Sequence, residues 1–457
     1  MIRLFKRKNE IDFTQGAMTR KIFSYALPIV FSGLFQACFS IADMAVVGKF
    51  IGKNAFAAIG STSSLINLVI QLFLGLSAGV TVVISQYFGA KDNDGMAKAS
   101  HTAVSVSIIG GIILAVVGVL LTEPLLVLMK SPEETFAMSA TYIKIYFSAM
   151  PFITVYNFSS GIMRAYGDTE RPMEYLVAAG ILNVALNLLF VIVFRLGVAG
   201  VAFSTFIAQI LSSFLALRRI TKAQNACRVN LGKLYIDKNS LSRIIKYGIP
   251  SGIQSTGYQI SGVIIQTAIN SFGPDVMAAK GAIVYIENVM SSLSNGFAAT
   301  ATVICAQNYG AKNKKRIIRG LSESLVCNVV LLALFGALFT AASPLLVKLL
   351  TNDSAVAKIG LRIAMSYVLF YFIGGVNAVF ASAQRGIGHS FEPMITNLIS
   401  ISGLKVLWIY TVFAKYPTVE TLYTSYPVTW VVSTIIQVSL FAYFYGRLSF
   451  SKSDIKS

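Results

Sequence analysis

The sequence predicts an all-α polytopic membrane protein with 12 transmembrane helices in two parallel six-helix repeats. Apolar residues make up 55% of its 457 residues, charged residues only 12%, and its mean hydropathy is +0.69. One soluble core cannot bury that much apolar surface. The chain also repeats itself, because GLSAGVTVVISQYFGAK at 75–91 recurs as GFAATATVICAQNYGAK at 296–312. These observations favour a duplicated, membrane-embedded helical domain.

The individual helices follow from segments of mostly apolar residues. About 20 such residues are needed to cross ~30 Å of hydrocarbon. We expect twelve spans, at 22–47, 56–87, 99–122, 136–163, 174–194, 197–220, 243–270, 277–308, 319–343, 356–384, 392–413 and 424–446.

The repeat keeps one register along the chain. RAYGDTERPM at 164–173 recurs as RGIGHSFEPM at 385–394, and PLLV at 124–127 recurs at 344–347. We therefore expect an N-terminal lobe at 1–220, a cytoplasmic linker at 221–242 and a C-terminal lobe at 243–457. With six spans each, both lobes enter the membrane from the same side and are parallel repeats.

Charge predicts the orientation. The formal net charge is +19, and with the N-terminus inside, 27 of the 38 Lys and Arg residues fall in inner loops and tails and nine in outer loops. This positive-inside bias predicts that both termini are cytoplasmic. The basic residues flank membrane helices, which disfavours a nucleic-acid-binding protein. We expect a multi-pass protein of the bacterial plasma membrane.

No enzyme motif is present. The only histidines, His101 and His389, lie at loop edges, and no HExxH, GxSxG or P-loop pattern occurs. The four cysteines show neither pairing nor metal spacing. We expect no enzyme activity and no cofactor, so active transport would depend on an ion gradient or on a partner's ATP.

The most informative residues are polar groups inside predicted spans, because a charge at mid-membrane costs ~2.5 kcal/mol or more. Asp43 lies in the first span, and Asn183 and Asn187, four apart and thus on one helix face, lie in the fifth. Thr205 follows in the sixth at a similar depth. A carboxylate among amide and hydroxyl oxygens suits a monovalent cation or a proton. The alternative is a polar cluster that only packs helices.

The motifs in order resemble those of the multidrug and toxic compound extrusion (MATE) transporters over essentially the whole chain. They are ADMAVVGKFIG in the first span, the GAK sequences that close the second and eighth, RAYGD and RGIGH after the fourth and tenth, and NxxxN in the fifth. The resemblance implies two six-helix lobes facing each other in a V, with a cavity between them. It also implies ion-coupled export by alternating access and no cofactor.

The resemblance also implies a cation site in the N-terminal lobe. One branch of the family has an Asp, an Asn and Asp four apart, and a Thr, which match Asp43, Asn183, Asn187 and Thr205. Asn187 replaces the second carboxylate, which leaves Na⁺ and H⁺ both open as the coupling ion. The C-terminal acidic site of another branch is expected to be absent, since Tyr258 and Gly374 occupy the corresponding positions.

Four residues are expected to line a substrate cavity: Gln36, Tyr258, Glu287 and Lys405. Glu287 would attract cationic compounds. Alternatively, Glu287 and Lys405 form an ion pair that only holds the C-terminal lobe together.

Two further expectations concern backbone geometry. The GAK sequences should form tight glycine turns at which Lys91 and Lys312 reach headgroups. Pro28 and Pro250 lie near the inner ends of their spans, where they either allow flexing or simply begin a helix.

The sequence thus predicts a Na⁺- or H⁺-coupled exporter of amphipathic, often cationic compounds, functional as a monomer in the bilayer. A lipid-linked oligosaccharide flippase of the same superfamily is the alternative. A flippase would be expected to place several Lys or Arg deep in its cavity, and only Lys405 is recognised there. A receptor or scaffold without transport would not need the Asp43 carboxylate.

Overall fold

The structure is a computed structural model that describes residues 10–348, 353–448 and 450, apart from the side chains at 64 and 65. All regular elements in these residues are helical. The α-helices are α1 (Thr19–Phe50), α2 (Lys53–Gly89), α3 (Asn93–Leu128), α4 (Glu133–Ser148), α5 (Met150–Ala165), α6 (Glu170–Leu188), α7 (Gly197–Thr221), α8 (Lys238–Asn270), α9 (Pro274–Gly310), α10 (Lys314–Lys348), α11 (Ser354–Ile363), α12 (Tyr371–Gly386), α13 (Phe391–Asn397), α14 (Leu404–Trp408) and α15 (Val419–Arg447).

Each predicted span corresponds to helical structure. Ten helical segments of the described chain are long and apolar enough to cross a membrane. The other two predicted spans coincide with α8 and with the pair α4 and α5. That pair is interrupted at Ala149, where a continuous span was expected. Pro151 occupies the first turn of α5, where its missing N–H needs no helical acceptor.

Short π-helical turns connect several α-helices into longer rods. They are Leu189–Val193 after α6, Ala364–Val368 after α11, Leu398–Gly403 between α13 and α14, and Ile409–Phe413 after α14. Such turns widen the helix locally and are frequent at functional sites. The turn after α6 begins two residues beyond Asn187, one of the predicted cation-site residues.

The two GAK sequences end α2 and α9 with the same turn, but the left-handed residue is lysine. Lys91 has φ +56° and Lys312 has φ +54°. Gly89 serves a different purpose, because a Cβ there would lie 1.8 Å from the carbonyl oxygen of Gln307. The expectation of a glycine turn is therefore wrong in detail: glycine permits close backbone approach, and lysine takes the strained conformation.

The chain divides into two compact units. The first contains Phe31–Phe88 and Asp92–Gly248 together with Glu10, and the second contains Ile11–Val30, Gly89–Lys91 and the described part of Ile249–Ser457. Helices α1 and α8 each contribute to both units. The lobes predicted at 1–220 and 243–457 remain predictions, and the terminal residues 1–9 and 451–457 lie outside the described part of the chain.

The predicted linker is attached to α3 within the first unit. The backbone N–H of Asn230 donates to His101 Nε2 at 3.1 Å, and His101 stacks on Tyr235 with ring centroids 5.1 Å apart. Thr102 Oγ1 accepts from the N–H of Asp237 at 2.9 Å. His101 therefore makes a structural contact between α3 and the predicted linker.

Candidate functional site

The four residues predicted to form a cation site lie together in the first unit. Asn187 Nδ2 donates to Asp43 Oδ1 at 2.5 Å. With the Asn183 amide oriented to satisfy both its ends, its nitrogen donates to the same carboxylate oxygen at 2.8 Å, and its oxygen accepts from the N–H of Thr205 at 3.1 Å. Helices α1, α6 and α7 therefore each contribute to one polar cluster, which we call the Asp43 cluster (Asp43, Asn183, Asn187 and Thr205).

The sequence explains why these side chains meet. Asn183 and Asn187 are one turn apart on α6, so both amides lie on the same helix face. Asn187 is fully buried and Asn183 is 6% exposed, whereas Asp43 is half-buried. Thr205 lies eight residues into α7, which packs against α6.

The cluster has the chemistry of a small-cation or proton site. The carboxylate receives two amide N–H donors, and such bonds stabilise its charged form. Asn187 Oδ1 is buried and has no hydrogen-bond partner among the described residues. If the Asn187 amide were turned over, its oxygen would face the Asp43 carboxylate in place of its nitrogen. No hydrogen bond to that oxygen would be lost. Carboxylate, amide and hydroxyl oxygens are suitable ligands for a hard cation.

The residues predicted to line a substrate cavity belong to two different units. Gln36 is exposed on α1 in the first unit, whereas Tyr258, Glu287 and Lys405 belong to the second. Tyr258 Oη accepts from Gln254 Nε2 at 3.1 Å, one turn earlier on α8. These roles stay predictions.

Glu287 has a cationic partner that the sequence argument missed. Lys280 Nζ lies 2.6 Å from Glu287 Oε2, and the Tyr367 hydroxyl donates to Glu287 Oε1. Lys280 Nζ also donates to the Tyr367 hydroxyl at 3.2 Å. We call these three residues the Glu287 cluster. Its carboxylate is closely compensated by an ammonium group.

Lys405 is in a different environment from the one that the ion-pair alternative requires. Its Nζ lies 3.6 Å from the ring centroid of Tyr426, a cation–π contact, and the residue is only 6% exposed. In the described part of the chain the ion pair of Glu287 is with Lys280. The spacing of Lys280 and Glu287 in the sequence could have indicated their pairing, since residues seven apart lie on the same face of a helix.

Comparison with known proteins identifies the family. The MatE family model matches twice, at residues 28–189 and 250–411. The chain belongs to the MatE family. The two matches also confirm the duplication, and the predicted resemblance to the MATE transporters is confirmed.

Among proteins of similar sequence, the chain is 27% identical over 391 residues to the "Probable multidrug resistance protein YpnP" of Bacillus subtilis, covering 85% of this chain and 87% of the relative. It is 23% identical to the "Multidrug export protein MepA" of Staphylococcus aureus, covering 86% and 88%.

The predicted fold class is confirmed by solved structures. A crystal structure of "MATE in complex with MaL6" aligns with a TM-score of 0.89 at 20% identity, covering 95% of this chain and 98% of that one. An "outward-facing conformation of a multidrug resistance MATE family transporter of the MOP superfamily" also aligns with a TM-score of 0.89, at 19% identity, covering 97% and 99%. The regular structure of the described residues is thus all-helical, and this MatE chain is a multi-pass membrane protein of the MATE fold.

Proposed function

We propose that this MatE protein exports amphipathic, often cationic compounds from a bacterial cell, coupled to inward movement of Na⁺ or H⁺. Two relatives named for multidrug resistance or multidrug export support the export of drugs. The observation that carries ion coupling is the Asp43 cluster, a carboxylate with amide and hydroxyl groups inside membrane-spanning helices. Proteins rarely keep such a group in the membrane without a functional reason.

The cluster would couple ion and substrate through differential affinity. An ion can shift a conformational equilibrium only by the difference between its affinities for the two states. Asp43, bonded to Asn183 and Asn187 of α6, would bind the ion more tightly in one state because the amides hold the carboxylate in place. Transport by alternating access then needs the substrate to favour the other state.

The substrate would contact residues of the predicted cavity: Gln36, Tyr258, Glu287 and Lys405. Glu287 would attract cationic groups, with Lys280 limiting that attraction because it compensates the carboxylate. Aromatic rings near Lys405, including Tyr426, would bind the apolar parts of amphipathic compounds.

The alternative, a lipid-linked oligosaccharide flippase, is not favoured. Such a protein would need several unpaired cations for a pyrophosphate. Of the two deep lysines in the described part of the second unit, Lys280 is paired with Glu287. Family membership supports a transporter rather than an enzyme, and we propose that it works as a monomer in the bacterial plasma membrane with both termini in the cytoplasm.

Replacement of Asp43 by Asn tests the proposal. The amide keeps the volume but cannot bind a proton or neutralise a cation, so driven efflux should be lost while substrate binding persists. Dye efflux from proteoliposomes under separate Na⁺ and H⁺ gradients measures this and identifies the ion. Asn183→Ala and Thr205→Ala should weaken ion dependence by smaller factors, because the charge remains.

Glu123→Gln is the matched control. This carboxylate forms an ion pair with Lys144 at 2.6 Å and is 60% exposed, so its loss should leave coupling intact. The Asp43→Asn protein should be at least as thermally stable as the parent, because a partly buried charge is removed. If that protein still accumulates substrate against its gradient, the Asp43 cluster is not the coupling site.

A further inference from the structure

A basic pocket lies within the first unit, away from the Asp43 cluster. It is formed by the first turns of α6 and the last turns of α7, with a volume of about 380 Å³. Its lining residues are Arg171, Tyr175, Leu215, Arg218, Arg219 and Lys222. Four of these six side chains are cationic, and none has a part in the proposed transport function.

Neighbouring carboxylates compensate only part of this charge. Asp168 pairs with Arg171 and lies 4.0 Å from Arg219 Nε. Arg218 and Lys222 have no carboxylate within 4.0 Å among the described residues, and both are exposed. Glu170 and Glu174 are on the same turns of α6 but do not line the pocket. The pocket therefore keeps a positive excess.

The composition of the pocket fits a phosphate group. Guanidinium groups donate in pairs to phosphate oxygens, and lysine adds a mobile charge. Tyr175 supplies a hydroxyl donor. Leu215 supplies an apolar side chain, which a soluble anion would not need but a glycerol backbone and its acyl chains would contact.

The position of the pocket points to the membrane as the source of that phosphate. Both α6 and α7 belong to segments long and apolar enough to cross a bilayer, so their ends lie at headgroup level. The pocket is at the α6 start and α7 end, on the side that the excess of basic residues predicts to be cytoplasmic. Basic pockets between transmembrane helices on that side are suited to anionic headgroups.

We propose that this pocket binds the phosphate headgroup of an anionic membrane lipid such as phosphatidylglycerol. Arg218 and Lys222 bind the phosphate because no carboxylate of the described residues lies within 4.0 Å of them, and Arg171 and Arg219, oriented by Asp168, complete the site. This assignment is independent of the proposed transport function.

The test compares two double variants of the full-length protein in a neutral detergent. Arg218→Gln with Lys222→Gln removes two charges from the pocket. Arg228→Gln with Lys233→Gln is the matched control, since these exposed residues of the linker carry the same charge and lie in the same unit. Binding of phosphatidylglycerol is measured by native mass spectrometry, and the melting temperature is measured with and without lipid.

Phosphatidylglycerol should raise the melting temperature of the parent and of the control, and it should bind the pocket variant about tenfold or more weakly. Phosphatidylcholine should have no such effect. Equal binding of phosphatidylglycerol to all three proteins would overturn the proposal. If millimolar inorganic phosphate displaced phosphatidylglycerol as effectively as excess lipid does, the membrane lipid would not be the source of the bound phosphate.

The pocket variant must itself be folded, which its elution as a monodisperse peak and its helical circular dichroism establish. Should the double variant fail this criterion, Lys222→Gln alone is compared with Lys233→Gln by the same measurements. The exposed Lys222 side chain makes that single change mild. A smaller loss of phosphatidylglycerol binding is expected, and no loss contradicts the proposal.

Discussion

Asp237 determines how α8 begins. It precedes the first residue of the helix, and its Oδ2 accepts from the N–H of Ser240 at 2.7 Å, an N-cap contact. The hydrogen bond from the Ser240 N–H, with Lys98 nearby, holds the pKa of Asp237 below its ordinary value. The charged form of this carboxylate is therefore the one that stabilises the fold.

We expect Asp237→Ala to lower stability by about 1 kcal/mol, because one helix N–H loses its acceptor. Asp237→Asn should retain most of the cap at neutral pH. Because the folded pKa lies below the unfolded one, the carboxylate's contribution is present above the unfolded pKa of about 3.9 and is lost as pH falls through the folded pKa. Melting temperatures of the parent and the Asn variant should thus converge at low pH; a constant difference contradicts this.

The Glu287 cluster allows function to be separated from structure. Glu287→Gln leaves the Lys280 ammonium without its carboxylate, and we expect a loss of roughly 1–3 kcal/mol, reduced because Tyr367 still contacts the lysine. A second change, Lys280→Met, should restore much of that stability. Export of cationic substrates should weaken in the Glu287→Gln protein, while export of neutral ones is spared.

Transport by the single and double variants, normalised to protein in the membrane, measures both effects. Equal loss of cationic and neutral export, together with poor expression, would support a purely structural ion pair. Restored stability with persistent loss of cationic export would support Glu287 as a substrate contact.

At this scale the sequence predicted the Asp43 cluster but not the Glu287 cluster. Asn183 and Asn187 could be placed on one helix face from their spacing, and the depth of Asp43 followed from the span. Lys280 could not be assigned because it lies at the predicted start of a span, where lysines commonly reach water. The seven-residue spacing places Lys280 and Glu287 on one helix face, but the contact of Lys280 with Tyr367 depends on packing between helices, which spacing does not determine.

At the level of elements, the glutamine of each 17-residue repeat forms a hydrogen bond with the chain near the start of the other repeat. Gln307 Oε1, in α9, accepts from the backbone N–H of Phe13, ahead of α1, at 2.9 Å. Gln86 Oε1, in α2, accepts from Arg243 Nη2, near the start of α8, at 2.6 Å. The same glutamine in each repeat therefore anchors the chain where the other repeat begins.

We expect Gln307→Ala to loosen the segment before α1, because the buried N–H of Phe13 loses its acceptor at a cost of about 1–3 kcal/mol. Faster proteolytic cleavage between residues 10 and 18 in the purified protein measures this. Gln15→Ala is the control, since the Gln15 side chain donates to Asp12 at an exposed position. Unchanged cleavage in the Gln307→Ala protein would show that Arg316, which donates to the Phe13 carbonyl at 2.9 Å, holds the segment by itself.

The prolines of α1 and α8 are helix-interior residues. Pro28 lies well inside Thr19–Phe50 and Pro250 well inside Lys238–Asn270, so the alternative that they start their helices is wrong. Each lies within two residues of the point at which its helix passes from one compact unit to the other. A proline there removes one helical hydrogen bond, and flexing at these two positions stays a prediction.

At the level of the whole molecule, the sequence repeat agrees with the helical spans predicted from apolar segments. Helix α8 is absent from the ten segments that length and composition mark as membrane spans. It was nevertheless predicted at 243–270 as a mostly apolar segment, and KYGIP at 246–250 echoes SYALP at 24–28 in the first half. The break at Ala149 and the π-helical turns were not predicted, since they depend on how neighbouring helices pack.

Orientation in the membrane is the remaining whole-molecule prediction, and it rests on the excess of basic residues on one side. The loop at 221–242 should face the cytoplasm and the turn after α3 should face outward. Cysteines placed at Lys233 and at Lys130, both exposed, report these two sides. The native Cys227 and Cys305 are buried, and burial raises the pKa of the Cys227 thiol to about 12, so it should react slowly.

The exposed Cys38 is first replaced by Ser to remove a reactive background. In intact cells a membrane-impermeant maleimide should then label Lys130→Cys, and it should label Lys233→Cys only after the membrane is permeabilised. The physical reason is that loops rich in Lys and Arg are retained in the cytoplasm during insertion. The predicted inner loops and tails carry 27 such residues and the outer loops nine. The reverse labelling pattern would mean that both termini face outward, and the lipid proposed for the basic pocket would then have to come from the outer leaflet.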